Sequence, residues 1–417
     1  MDIRTALDKL FSLHIFGVKL GLDKIKAFLD YIGKPQLKLK VIHLAGSNGK
    51  GSTAAFISSM LMEAGYKVGL YTSPHFIKFN ERIVINGVQI DDEYVARFIT
   101  KHWKYIIEHE LTFFEVTTAL AFEFFFKSNV DYAVIETGLG GRLDATNTLN
   151  PLAVVITSIS LEHTNVLGKS LTEITKEKAA IIKSKIKVFT SSLPEESEKI
   201  IQTKCVEENS ELYTLKKHFD SETNLLKTKI GDINFENLNV PLNGMYQKNN
   251  ALLAILTIVN SGLVSDKKIL FNGISKMVLN IGFQGRYEYY NKYPTVIMDS
   301  AHNVDGLRHF LEEFNNESKQ YKKKIVIFGV MRDKAVEGML LELNKNFDEI
   351  LLADIKYERS IKYEELQNIC KKISIIAHGV SEPVDFIRNF LKGDKDSCLV
   401  ILGSMYLLGD VKTGLKC

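Results

Sequence analysis

The stretch Ile42-His43-Leu44-Ala45-Gly46-Ser47-Asn48-Gly49-Lys50-Gly51-Ser52-Thr53, IHLAGSNGKGST, decides the fold. An apolar run leads into it, and STAAFISSMLMEAG, a helical pattern closed by Gly65, leads out. Three glycines within residues 46–51 let the backbone turn so that successive N–H groups converge on an anion. The helix N-terminus adds unsatisfied N–H groups and a partial positive charge. Lys50 is placed to reach terminal phosphates, and Ser52 or Thr53 to offer a hydroxyl to Mg²⁺. The usual phosphate loop is a glycine, four residues, then Gly-Lys-Ser/Thr; here Gly51 intervenes and shifts the hydroxyl by one residue. A plain glycine turn between strand and helix is the competing reading. Gly-Lys, a hydroxyl and the strand–helix setting together favour a nucleotide, bound by Ser47, Asn48, Gly49, Lys50, Gly51 and Ser52.

Outward from the loop, β-branched runs alternate with helical patterns. Residues 40–45, 66–73, 130–137, 151–159 and 186–192 read as buried strands, with helices at 52–64, 91–109 and 171–183. From 193 to 241 the pattern weakens into charged sequence, read as peripheral strands or an accessory layer. A helix follows at about 245–261. The alternation then restarts, with strands expected at 294–300, 324–330, 349–355, 374–378 and 398–404. The expected architecture is α/β, with two domains, 1–284 and 285–417.

Composition sets the class. A chain of 417 residues is too long for one ordinary core. Hydrophobic residues at 45% and charged residues at 25% describe a soluble globular protein. A net charge of +3 gives no argument for nucleic acid. Cys205, Cys370, Cys398 and Cys417 lack metal-site or disulfide spacing and fit a reducing compartment. FFEVTTALAFEFFF carries Glu115 and Glu123 and is too short to span a bilayer, so it reads as a buried helix. A cytoplasmic location is expected.

Two residues earn chemical roles from placement. Glu136 closes the strand VDYAVIET at the edge that faces the ligand crevice of an open α/β sheet, where a carboxylate suits Mg²⁺. His163 follows another strand toward the same edge, although a lone histidine is more often structural.

Beyond the loop, TSPHFIKFNERI (72–83), TFFEVTTA (112–119), ETGLGGRLDATN (136–147), LEHTNVLG (161–168), EKAAIIK (177–183), GMYQKNNA (244–251), QGR (284–286) and DSAHN (299–303) occur in this order. Together they resemble folylpolyglutamate synthase and dihydrofolate synthase, of the Mur ligase superfamily, over nearly the whole chain. The resemblance implies a P-loop-containing, Mur-ligase central-type domain over 1–284 with a mostly parallel sheet. A smaller Rossmann-like glutamate ligase domain follows over 285–417. It implies ATP and two Mg²⁺ ions, held by Ser52, Ser73, Glu136 and His163, with Lys50, Glu136, His163 and Lys178 catalytic. Lys178, by itself a snorkelling surface lysine, is in that family carbamylated. ATP contacts extend to Asn250, Arg286, Asp299 and His302; Asn303 could equally cap the next helix. The folate substrate is expected against Lys19, Leu20, Gly21 and Leu22, against Thr112, Phe113, Phe114 and Glu115, and against Leu143, Asp144 and Ala145, in a mobile loop. Phe113 and Phe114 could equally be core residues.

The implied activity is ATP-dependent addition of L-glutamate to a reduced folate, and to dihydropteroate, by a monomer acting on small molecules without nucleic acid or membrane. This sequence departs from the family at Ala180, usually glycine, and at Gln284 and Val304, usually prolines. Another Mur-type ligase is the nearest alternative, and TSPHFIKFNERI and TFFE argue against it. A switch protein would need guanine specificity, and no Asn-Lys-x-Asp stretch provides it. A nucleotide-binding relative without ligase activity is disfavoured by Ser52, Glu136, His163 and Lys178 together.

Overall fold

A computed structural model describes residues 1–13, 21–218, 229–230, 233–234, 238–357 and 360–416. Contacts divide the chain into two compact units. The first is Met1–Pro74, Phe79–Pro241 and Asn249–Phe283; the second is His75–Lys78, Leu242–Lys248 and Gln284–Cys417. The stretches 75–78 and 242–248 thus go with the second unit, whereas the sequence reading had them in the first.

The first unit is built on an eight-stranded sheet. Its strands are β1 (Val41–Ala45), β2 (Val68–Tyr71), β3 (Ile83–Ile85), β4 (Val88–Gln89), β5 (Tyr132–Glu136), β6 (Ala153–Ile156), β7 (Lys187–Thr190) and β8 (Glu211–Thr214). Their order is β4-β3-β2-β5-β1-β6-β7-β8. All pairs from β2 to β8 across the sheet are parallel; β3 and β4 extend it antiparallel. β1 and β6 are buried along their whole length, the mark of a parallel sheet covered on both faces. The chain leaves β1 toward β2 and β5 on one side and later returns to β6 on the other. β1 is therefore the topological switch point, and ligands of such sheets bind beyond the strand ends there.

Two helices press on this centre. Lys50–Glu63 is buried from Ser52 to Leu61, and a Cβ on Gly273 would lie 2.5 Å from Met60 Cα, so only glycine allows that helix contact. Phe113–Lys127 opens with a capping box and buries its phenylalanines Phe122 and Phe125 in the main core. Among the described residues, no helix is long and apolar enough to cross a membrane.

Two sequence expectations need correction. The segment after residue 193 does not leave the α/β alternation: helix Glu195–Glu207 packs beneath β8, which runs parallel to β7. That helix buries only Ser197, Ile201 and Cys205, one narrow stripe at four-residue spacing, so its charged faces hid it. Beyond it, β9 (Lys229–Ile230) and β10 (Ile233–Asn234) form a separate antiparallel pair.

The second unit holds a six-stranded sheet. Its strands are β11 (Glu288–Lys292), β12 (Thr295–Met298), β13 (Lys323–Phe328), β14 (Glu349–Ala353), β15 (His378–Val380) and β16 (Ser397–Leu402), in the order β11-β12-β16-β13-β14-β15. Only the edge strand β11 is antiparallel. The strand expected at 374–378 is instead the end of a helix. Ser374 takes a left-handed φ of 57°, Ile375 N donates to Cys370 O at 2.9 Å, and Ile376 is 82% exposed. The apolar residues of that run close the helix, and the strand starts only at His378.

Candidate active site

The loop after β1 sits at the switch point, and its glycines are required by neighbours. A Cβ on Gly46 would lie 2.0 Å from Thr157 Oγ1; one on Gly49, whose φ is 83°, would lie 2.5 Å from Asn250 Oδ1. Ser47 N donates to Ser158 O at 2.9 Å and Asn48 N to Ser158 Oγ at 2.8 Å. Thr157 Oγ1 in turn donates to Asn48 O at 2.6 Å. The amides of Ser47 and Asn48 therefore anchor the loop to the segment after β6. The cradle for an anion falls to the first turn of helix Lys50–Glu63, whose N–H groups have no partner within the helix. Gly51, the residue that breaks the usual pattern, would place a Cβ at ordinary contact, 3.6 Å, from Glu136 Oε2.

Three predicted groups meet here. Glu136 ends β5, beside β1, and is 4% exposed. Its Oε2 accepts from Ser73 N at 3.2 Å, and its Oε1 lies 4.0 Å from Lys50 Nζ. Lys50 Nζ also donates to Gly46 O at 2.8 Å and Ser47 O at 3.3 Å. The ammonium is thus held against the loop, between the helix N-terminus and a buried carboxylate. Ser52 is buried in the first turn, and Thr53, its alternative, is wholly buried with its hydroxyl unpartnered. Among the described residues, no three His, Cys, Asp or Glu side chains converge to hold a metal. What the site offers beside the loop is the buried Glu136 carboxylate, with Ser52 in the first helical turn, hard oxygen donors of the kind that suit a Mg²⁺ retaining several waters. His163 takes a left-handed φ of 46° at the start of helix Thr164–Leu167, an uncommon backbone for histidine.

Lys178 corrects the surface reading. It is 1% exposed, and its Nζ donates to Glu162 Oε1 at 2.7 Å and to Gly46 O at 2.9 Å. One carbonyl oxygen, that of Gly46, therefore accepts from both Lys178 and Lys50. Burial pulls the Lys178 pKa down, opposed by Glu162. Burial alone would raise that of Glu162, but Lys178 and Lys50 outweigh it and hold the carboxyl at about 2. Glu162 was missed by sequence reasoning; its only signal was a carboxylate directly before His163.

The expected substrate residues separate into two kinds. Thr112 and Glu115 form the capping box: Glu115 Oε2 accepts from Thr112 N and Thr112 Oγ1, each at 2.8 Å, and both residues are buried. Phe113 is core, stacked on Phe11 at 5.6 Å with Arg82 over its ring. Those contacts fix the start of the helix and seat the Phe113 ring. Phe114 is only half-buried, and its ring lies where a Gly138 Cβ would be, beside the backbone that follows Glu136. Gly21 borders open space, Leu22 packs on the core, and Lys19 and Leu20 lie outside the described residues. Leu143 is half-buried and Ala145 buried.

Asp144 is buried rather than part of a loose loop. Its Oδ2 accepts from Gly138 N and Leu139 N, both at 2.8 Å, and its Oδ1 from Thr146 N at 3.0 Å and from the Thr146 hydroxyl. Burial raises its pKa, opposed by those donors. Thr146 Oγ1 also contacts His43 Nε2 at 2.8 Å. His43 is fully buried on β1 and its pKa is lowered to about 3 by that burial, with Lys183 adding to it. Neither Thr146 nor His43 was singled out from sequence. The sign of the His43 effect is testable. Its folded pKa lies below the unfolded value near 6.5, so only the unfolded chain gains a proton as pH falls. Its stabilising contribution is complete above about pH 6.5 and is lost toward pH 3, with a slope of up to about 1.4 kcal/mol per pH unit. Urea unfolding across that window is expected to show a shallower acid loss for His43→Gln than for the wild type.

In the second unit, Asp299 follows β12. Its Oδ2 accepts from Tyr287 N at 2.6 Å and its Oδ1 from Ala301 N at 2.7 Å, so it ties the turn carrying Arg286 to the turn carrying His302. Burial raises the Asp299 pKa and Arg286 opposes this. His302 Nδ1 is 3.0 Å from Ser300 O. Asn303 caps helix Val304–Glu317 through Gly306 N at 2.7 Å. Asn250, in helix Met245–Asn260, stands against Gly49.

Known proteins match this chain over nearly its whole length. Residues 44–258 match the Mur ligase middle domain, and residues 285–405 match the Mur ligase glutamate ligase domain. The dihydrofolate synthase/folylpolyglutamate synthase of Bacillus subtilis (strain 168) is 33% identical, over 96% of both chains. The structure of E. coli FolC in complex with DHPP and ADP superposes with a TM-score of 0.86 at 25% identity, over 100% of this chain and 98% of that one. The bifunctional folylpolyglutamate synthase/dihydrofolate synthase of Yersinia pestis, complexed with AMPPNP and Mn ion, gives 0.85 at 25% identity, over 100% and 98%. The chain belongs to the Mur ligase family, among the dihydrofolate synthase/folylpolyglutamate synthases.

Proposed function

We propose that this protein is an ATP-dependent ligase that joins L-glutamate to the terminal carboxylate of a reduced folate, and to dihydropteroate. The observation that carries the reading is the juxtaposition of Lys50, Ser73 and the buried Glu136 at the N-terminus of helix Lys50–Glu63. The relatives' complexes with ADP and with AMPPNP and Mn support the choice of nucleotide and divalent cation.

The chemistry follows from the substrate. A carboxylate repels an attacking amine, so its oxygen first takes the γ-phosphoryl group of ATP, releasing ADP. The acyl phosphate has a good leaving group; the glutamate amine attacks its carbonyl carbon, and the tetrahedral intermediate expels phosphate, leaving the amide. Phosphoryl transfer demands positioning and charge neutralisation. Lys50 and the first-turn amides of its helix bind and orient the phosphates. Ser52, Ser73, Glu136 and His163 would hold Mg²⁺, which when bound neutralises charge on the phosphate oxygens. Asn250, Arg286, Asp299 and His302 keep nucleotide-contact roles in this reading, with Asp299 acting by ordering the turns of Arg286 and His302. Phe114 is the aromatic face offered to the pterin. A carbamate on Lys178 would set like charge beside Glu162, so that modification requires Glu162 to turn toward a cation. The protein acts as a monomer on small molecules alone.

The test is glutamate- and ATP-dependent phosphate release, with dihydropteroate and a reduced folate offered separately. Release is expected with each. Release with neither, under conditions where ATP binds, contradicts the folate reading; release with only one narrows it to that substrate.

A further inference from the structure

β1 is a fully buried parallel strand, where valine or isoleucine would pack without cost, yet its central residue is His43. Burying an imidazole is unfavourable unless its polar atoms are used, and here Nδ1 has no hydrogen-bond partner. Only Nε2 is engaged, by Thr146 Oγ1 at 2.8 Å. That hydroxyl gives its single proton to Asp144 Oδ1, so Nε2 must carry the hydrogen it shares with Thr146. The other oxygen of Asp144 receives the N–H groups of Gly138 and Leu139. Those two amides begin two residues after Glu136, and the ring of Phe114 rests on Gly138.

We propose that His43 is a positioning residue: through Thr146 and Asp144 it fixes the backbone at 138–139, and with it the orientation of Glu136 and the wall that Phe114 offers to the pterin. The inference rests on the ligase reading above for its kinetic consequence, but not for its structural one. The loop at 46–49 is anchored elsewhere, to Thr157 and Ser158, so nucleotide binding should not depend on this relay.

The experiment uses the full chain with His43→Leu, His43→Gln, Thr146→Val and the double variant His43→Leu/Thr146→Val. Amide hydrogen exchange, ADP affinity, and kcat and KM for dihydropteroate are measured on each. In His43→Leu and Thr146→Val, exchange at 138–139 is expected to quicken and kcat to fall at least about tenfold, the scale for removing an outer partner of a site. KM for the pterin rises, while ADP affinity stays at the wild-type value. His43→Gln, whose amide N–H can replace Nε2–H, recovers most of kcat. The double variant loses no more than Thr146→Val alone, because both changes cut one chain. Unchanged exchange at 138–139 in a folded variant overturns the proposal. So does a loss shared equally by ADP binding, or a glutamine variant no better than leucine. Should His43→Leu fail to fold, Thr146→Val, which exchanges a hydroxyl for a methyl, carries the same test. If the wild type releases no phosphate, the ligase reading falls, and exchange at 138–139 still decides the relay.

Discussion

Lys50→Ala and Glu136→Ala are each expected to lower kcat for glutamate-dependent phosphate release by about a thousandfold, with the unfolding midpoint in urea near the wild-type value. The reason is the division of labour at the loop. Phosphoryl transfer leaves a protein little to do beyond gathering positive charge and aligning donors. In this chain Lys50 is the ammonium held against the loop itself, 2.8 Å from Gly46 O, and Glu136 is the buried carboxylate beside Ser73. Glu136→Gln separates charge from shape: the amide keeps the volume and a lone pair toward Ser73 N but loses the negative charge. A glutamine variant as slow as alanine assigns the effect to charge. A loss smaller than about tenfold in either alanine variant is too little for a group that acts on the transferred phosphoryl, and rejects that role.

Lys178→Met is expected to destabilise the protein by about 3–5 kcal/mol, the usual cost of removing one partner from a buried ion pair. Methionine fills the lysine channel, so the loss comes from the stranded Glu162 carboxylate rather than from a cavity. The paired change Lys178→Met/Glu162→Leu removes both charges and is expected to regain most of that stability, because an apolar pair of similar volume avoids desolvating ions. Activity should not return with it, since Gly46 O then loses the ammonium that shares it with Lys50. Urea unfolding of the three proteins gives the comparison. A single variant as stable as the wild type would mean that the Glu162 carboxylate is relieved by something other than Lys178.

These expectations also mark what was legible in the amino-acid sequence. The loop could be read because its constraints are local: glycines for backbone approach, a lysine one step on, a strand before and a helix after. The place of Glu136 beside the loop was legible because the end of an apolar strand in an open α/β sheet faces the crevice. Lys178 was not, because a lysine on an amphipathic helix looks the same whether it snorkels to water or turns inward to Gly46 O. Glu162 stayed hidden for the matching reason, since its role depends on a helix sixteen residues further on. Thr112, Glu115 and Asp144 came with the family pattern as substrate residues. In the structure their side chains cap a helix and brace a loop, contacts that only the folded chain reveals. The strand displaced from 374–378 to His378–Val380 shows the limit of β-branched runs as a guide, because Ile375 closes a helix with its own amide.

In the proposed mechanism the substrate carboxylate becomes reactive by accepting a phosphoryl group from ATP. The most direct measurement labels that carboxylate of dihydropteroate with ¹⁸O and follows the label during glutamate addition. Passage through an acyl phosphate transfers one labelled oxygen to the inorganic phosphate, visible in its mass and its ³¹P resonance. Phosphate released free of label, alongside labelled amide product, would contradict the account.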